Sequence, residues 1–420
     1  MNQIISILVF LLVMAAIMSE KVHRSVASIA GAVLLLACHV LTVDTAIKYV
    51  DVNTIGVLVG MMLFVAVVKN SGLFEYIAIK AAKMTHGHPW AIMVAFAVIT
   101  AVLSAFLDNV TTVLLVGPMT LAITSILKVN PVPFLLTQIL ASNMGGTATL
   151  IGDPPNIMIG SAAGLSFVDF ICNTGVIIVI IMAVSIGCFY FMFGRKLHVE
   201  QSEMDAVMRL DETQSIKDKS LMVKSIIMIC LVVLGFIFHA QLQMESSTIA
   251  LLAAVIMLLI GRQDAEEIIL SVEWSTILFF IGLFVVVGGM EASGVITSLA
   301  NMLMSVTSGN MVMTMIIILW VSAIVSSFLD NIPFVATLIP LILTLQSSGM
   351  DIAPLWWALS LGACLGGNGT LIGASANVVL SGISNKNGYP ITFMSYLKVG
   401  FPMMLISIVL SMGFLLIRFA

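Results

Sequence analysis

The sequence predicts an all-α polytopic membrane protein built from two copies of one unit inserted upside down relative to each other. Three observations carry this. Of 420 residues, 60% are hydrophobic and 9% charged, with mean hydropathy +1.17. Four separate sequence blocks recur in one register. The basic residues fall on one side of a consistent threading through the bilayer. A soluble domain carries about 25% charge, so a soluble enzyme, a disordered chain and a nucleic-acid binder are excluded. Twelve of the charged residues crowd between Gly194 and Lys224 and mark one wet internal loop. The net charge of −4 is divided between two water layers and says nothing about partners. Cys38, Cys172, Cys188, Cys230 and Cys364 lie scattered in apolar runs without pairing or metal spacing. The apolar stretch from Met1 to Met18 has no basic leader or cleavage site and reads as a first span.

A span needs about 20 largely apolar residues. In the first repeat, 1–193, the expected spans are 4–19, 26–43, 53–69 and 170–193, with a hairpin at 90–128 and a broken helix at 133–162. A linker follows at 194–221. The second repeat, 222–420, has expected spans 222–240, 246–262, 274–290 and 398–418, a hairpin at 310–348 and a broken helix at 354–383. The register is explicit. Phe106-Leu107-Asp108-Asn109 recurs 222 residues later as Phe328-Leu329-Asp330-Asn331. Thr54, Gly60 and Pro118 map onto Thr276, Gly282 and Pro340. With one deletion, the block Gly145 to Gly152 maps onto Gly366 to Gly373, and Asn156 onto Asn377. Threaded from outside, fifteen Lys and Arg residues fall inside, leaving only Lys48 and Arg418 outside. The N-terminus is then external and loop 194–221 cytoplasmic, in a plasma membrane. Each half crosses an odd number of times, so the halves are inverted, as in secondary transporters.

The chemistry should sit where the apolar pattern breaks. Ser142-Asn143-Met144-Gly145-Gly146-Thr147-Ala148-Thr149 and the following Gly152-Asp153-Pro154-Pro155-Asn156 are expected to be unwound: paired glycines loosen a helix and Pro-Pro stops it. Free backbone groups at membrane depth require a protein or water-filled cavity around them. The plain alternative is an extramembrane loop. Gly366, Gly367, Asn368, Thr370 and Asn377 form the second copy. Asp108 and Asp330 stand in uncharged runs, and an intramembrane carboxylate is costly enough to count as functional by default. Asn109 and Asn331 add amides at the same depth; Thr111 and Thr112 add hydroxyls. Asp108 and Asp330 are also good helix caps, and capping is compatible with ion binding. Asp153 aligns with Ala374 and Thr147 with Asn368. The extra oxygen ligands in the first half suit Na⁺ or a proton, placing Na⁺ among Asp108, Asn109, Thr147 and Thr149. Asp153 is left either in that site or at the membrane surface. Cys364 reads as inert or as a thiophilic contact, and 72–84 as an interfacial helix with Lys80 and Lys83 reaching to water.

Phe-Leu-Asp-Asn-Val-Thr-Thr-Val at 106–113, with Asn143-Met-Gly-Gly-Thr-Ala-Thr-Leu-Ile-Gly-Asp-Pro-Pro-Asn156, resembles the arsenite permease and P-protein (pink-eyed dilution) branch of the ion transporter superfamily. ArsB-type arsenical pumps, NhaD sodium/proton antiporters and citrate and dicarboxylate carriers are relatives. The resemblance spans about residues 45–420. It implies a scaffold plus a mobile transport domain, elevator-type movement, a homodimer, and substrate held at hairpin tips and unwound helices. Dicarboxylate carriers have Ser-Asn-Thr at those tips. Here they read Asp-Asn-Val-Thr and Asp-Asn-Ile-Pro, and like charge disfavours a di- or tricarboxylate. The expected function is therefore arsenite-permease-like transport of a small inorganic solute against H⁺ or Na⁺, with no other cofactor. The alternatives are Na⁺/H⁺ antiport, citrate-type transport and, in another class, an intramembrane aspartyl protease using Asp108 and Asp153.

Overall fold

The computed structural model describes every residue except residue 20. The first half contains α1 (Asn2–Met18), α2 (Arg24–Ala37), α3 (Val43–Tyr49), α4 (Val52–Lys69), α5 (Leu73–Met84), α6 (Pro89–Phe106), α7 (Asn109–Ile126), α8 (Val132–Thr147), α9 (Pro154–Ala163), α10 (Phe167–Phe170) and α11 (Val176–Met192). A single wide π turn, Ile171–Gly175, joins the last two. The linker carries α12 (Gln201–Met208). Then follow α13 (Lys219–Phe238), α14 (Ser246–Gly261), α15 (Ala265–Leu270), α16 (Trp274–Ala292), α17 (Val295–Thr307), α18 (Met311–Phe328), α19 (Asn331–Ser347), α20 (Ala353–Gly366), α21 (Ser375–Lys386) and α22 (Phe393–Phe419). Among the described residues, eight helical stretches are long and apolar enough to cross a membrane.

Two expected elements come out differently. The span 26–43 stops at Ala37. His39 takes a left-handed backbone (φ 55°), and Thr42 and Thr45 cap each other to start α3. A reciprocal cap of this kind begins a helix whatever the hydropathy around it. The broken helix also breaks later than expected. Ser142 through Thr147 are helical, and only Ala148 to Asp153 leave the helix. Pro154 and Pro155 begin α9 rather than end α8, because the first helical turn needs no proline N–H.

The helices form two groups. α4 packs on α14, and α16 on α2, with α1 and α13 beside them. The second group has α6 against α8 and α18 against α20, with α11 and α22 alongside. Glycine permits the closest approaches. A Cβ on Gly60 would lie 2.6 Å from the backbone of Ala250, and one on Gly282 2.6 Å from that of Ile29. A Cβ on Gly145 would lie 2.0 Å from the Ala101 carbonyl oxygen, and one on Gly366 2.6 Å from that of Ala323. The interruptions therefore sit directly beneath the hairpin helices, where chain meets chain without intervening side chains.

Candidate functional site

Each hairpin turns through only two non-helical residues, and the second is an aspartate. Asp108 caps α7, accepting from the Thr111 amide (2.8 Å) and hydroxyl (2.5 Å). Asp330 caps α19, accepting from the Ile332 amide (3.2 Å). Capping consumes part of each carboxylate. Asp108 also lines a small buried cavity, and Asp330 meets Arg24 at 3.4 Å.

The breaks are held by their own asparagines. Asn156 Nδ2 donates to the carbonyls of Gly146, Thr147 and Thr149 (3.3, 3.2 and 2.9 Å), and its Oδ1 accepts from Ser360 (2.6 Å). Asn377 Nδ2 donates to Gly367 and Thr370 (2.8 and 2.9 Å). Buried carbonyls without partners are costly, and each asparagine removes that cost where the helix lets go. Thr149 and Thr370 donate across to the carbonyls of Ala105 and Ser327, tying each break to its hairpin.

A ladder of amides crosses the midline. Asn109 donates to Asn143 (3.3 Å), and Asn143 donates to Asn368 and Asn377 (2.8 and 2.9 Å). Cys364, fully buried, approaches the Asn156 oxygen at 3.6 Å. In the repeat register Cys364 takes the place of Asn143, so the two contacts are counterparts.

Asp153 is 1% exposed, and its carboxylate accepts from Asn331 at 3.2 Å. It lies in the interior, not at the surface. A small cavity of about 30 Å³ joins Asp108, Asn109, Asp153 and Asn331 with Arg24, Glu273, Thr276 and Ser375. The two tips and one break thus meet in one place. The proposed Na⁺ set does not stay together. Thr147 and Thr149 turn their hydroxyls to the carbonyls of Asn143 and Ala105, and the cavity substitutes Asp153 and Asn331 for them. Thr112 is buried beside the tip, with no hydrogen-bond partner for its hydroxyl among the described residues.

Two charged residues at the site were not singled out in the sequence. Arg24, the first residue of α2, donates to Ser375 (2.8 Å) and Thr276 (2.9 Å) and reaches Asp330 at 3.4 Å. Glu273 accepts from Thr276 (3.0 Å). A signal for Glu273 existed: Asp51 stands 222 residues earlier and accepts from Thr54 in the same way (2.6 Å). Arg24 had none, since its counterpart is Ser246 and a lone arginine ahead of a span reads as a topology determinant.

The citrate transporter (CitMHS) family model matches residues 14–362. An uncharacterized transporter of Mycobacterium tuberculosis is 40% identical over 99% of this chain and 98% of its own. The 46 kDa membrane protein of Mycobacterium leprae is 38% identical over 99% of each. The human P protein is 33% identical over 96% of this chain, which spans 58% of that protein. Among solved structures, the YdaH transporter of Alcanivorax borkumensis superposes with a TM-score of 0.61 at 14% identity, covering 94% of this chain and 98% of that one. The fold is thus that of a known membrane transporter, and the expected kinship with the P-protein branch holds. By its sequence across most of its length, this chain belongs to the citrate transporter family of the ion transporter superfamily and is a multi-pass membrane transporter.

Proposed function

We propose that the protein is an ion-coupled secondary active transporter that moves a small solute against H⁺ or Na⁺ by alternating access. One observation carries this reading: both hairpin tips converge with the buried Asp153 on one small cavity. Interrupted helices whose ends face a shared midplane cavity are the transporter way of holding ions. Asp108 and Asp153 are the carboxylates for the coupling cation. The halves are inverted, with the N-terminus outside and 194–221 cytoplasmic, as the Lys and Arg distribution requires. The grouping of α4, α14, α2 and α16 apart from the hairpins supports a fixed scaffold and a moving elevator, working as a homodimer.

The cavity of about 30 Å³ has room for an ion or one water, which favours Na⁺/H⁺ antiport as the second reading over the arsenite-like one. Proteoliposome flux separates them. Proton movement driven by Na⁺ without arsenite selects the antiporter; proton movement that needs arsenite selects the permease. No coupled flux of either kind in active, oriented protein rejects both assignments. The protease alternative has no support from the relatives, which are transporters.

A further inference from the structure

Two cavities of similar size occupy equivalent places in the two repeats. One, of about 370 Å³, is lined by His23, Arg24 and Val378. The other, of about 350 Å³, is lined by their repeat counterparts Glu245, Ser246 and Ile157. The first adjoins the small site cavity, because Arg24, Glu273 and Ser375 line both. Among the described residues, the second shares none with that cavity. The threading that places Arg24 inside places Glu245 and Ser246 outside.

Burial differs in the same sense. Val378 is 43% exposed and Ile372 38%, whereas their counterparts Ile157 and Ile151 are each 4% exposed. Like side chains at like positions of a repeat have the same claim to burial, so the difference lies in how each half closes. Helix α9 packs on α4. Among the described residues, its counterpart α21 has no comparable packing on α16, the counterpart of α4.

One polar cluster joins α9 to the start of α4. Ser161 donates to Asp51 (3.0 Å) and accepts from Asn53 (3.3 Å), and Asn53 accepts from the Ser247 amide of α14 (3.0 Å). Asp51 and Ser161 also line a further cavity of about 240 Å³. Ser161 thus borders two cavities, and hydrogen bonds rather than close packing hold this end of α9. The other half lacks the cluster. Ser161 corresponds to Gly382, which has no hydroxyl, and a Cβ there would meet nothing within 4 Å.

We infer that Ser161, held by Asp51 and Asn53, is the latch that shuts the outer mouth of the transport path, and that the cavity lined by Ile157, Glu245 and Ser246 is that mouth. The structure is then the inward-open form. This deepens the transport reading and rests on it. Release of Ser161 lets α9 leave α4 and opens the outer cavity toward Asp153, from which α9 starts. The hydroxyl does the holding, because a carboxylate acceptor makes its bond a charge-assisted one. With glycine at 382, the inner mouth has no equal latch, so the chain is biased toward opening inward.

Thiol labelling in oriented proteoliposomes tests this. The reporter is Ile157→Cys in the full-length chain with the exposed Cys38, Cys172 and Cys230 replaced by serine, and the same chain without the reporter is the blank. A membrane-impermeant maleimide is applied from the external face. Labelling should be slow with Ser161 in place and about tenfold faster in Ser161→Ala, the worth of one hydrogen bond to a charged group. Ser161→Val and Ser161→Thr have the same shape and differ in the hydroxyl. The valine variant should label like Ser161→Ala, and the threonine variant like the parent. Equal labelling of those two, or no rise in Ser161→Ala, overturns the latch. Should Ile157→Cys not fold, Leu150→Cys, buried in the same cavity, is the reporter. Failure of the transport reading looks different: labelling still follows the hydroxyl while the wild-type protein shows no coupled flux, and the cavity is then no mouth of a transport path.

Discussion

Asp108 shows how one side chain can close a turn and still serve a site. Its cap to Thr111 can be made by asparagine as well, so Asp108→Asn should fold. We expect that variant to express and assemble normally yet lose coupled flux in proteoliposomes; wild-type flux would remove Asp108 from the site. Asn156 is the contrasting case. Its amide donates to Gly146, Thr147 and Thr149 and its oxygen accepts from Ser360 and Cys364, so its work is to hold the break rather than to bind a free ligand. Asn156→Ala strands buried carbonyls, each costing about 1–3 kcal/mol. Its Tm in detergent should fall well below that of Asp108→Asn. Equal melting points would mean that another group caps the break.

At the scale of elements, close approach and bracing decide which parts can move. Gly145 lies under the Ala101 carbonyl with no room for a methyl group. Gly145→Ala must push α8 away from α6, at about 1–3 kcal/mol for overpacking, and should lower Tm; no change would show that the two helices part easily. The linker is a second element with a mechanical role. Val207 of α12 is fully buried among Ala78, Ala82, Phe96 and Ile123. Lys83, expected to reach to water, instead binds Glu212 and the Leu210 carbonyl (2.9 Å), and Lys128 at the base of α7 pairs with Glu203 (3.2 Å). The linker thus straps the first hairpin to α5. The Lys83 contact holds the Glu212 carboxyl below its ordinary value. A depressed carboxylate stabilises above its unfolded pKa, about 4.3, and loses that contribution only as pH falls through the lower folded value. Near pH 7 the strap should therefore respond to salt and not to pH. Protease protection of 194–218 should drop with added salt and in Lys83→Ala; protection that instead changes between pH 6 and 8 would contradict the pairing.

For the whole molecule, the halves exchange partners: α4 with α14 and α16 with α2, each through a glycine against bare backbone. Exchange of this kind makes the cavity a joint product of both halves, since Asp108, Asn109 and Asp153 of the first line it with Glu273, Asn331 and Ser375 of the second. A ligand bound there should stabilise the entire chain by mass action. A single unfolding transition that shifts as a unit on ligand addition is expected; two transitions, only one of them shifting, would show that the halves are energetically separate.

Membrane embedding, the recurring Asp-Asn tips and the glycine-rich breaks are legible in the sequence because each is local. Hydropathy accumulates along a run, a carboxylate in an apolar stretch is costly wherever it sits, and a repeat is visible as a register. Even the helix bounds follow mostly from that pattern. Where they do not, a short-range cap overrides hydropathy, as Thr42 and Thr45 do after His39, or prolines fit the first turn of a helix rather than its end, as Pro154 and Pro155 do. Contacts between residues hundreds of positions apart leave no such trace. Only the tertiary structure placed Arg24 against Asp330, Asp153 against Asn331, and the Thr147 and Thr149 hydroxyls away from the cavity. Spacing along a chain determines which face of a helix a side chain occupies, whereas its neighbour across a cavity depends on how the helices pack.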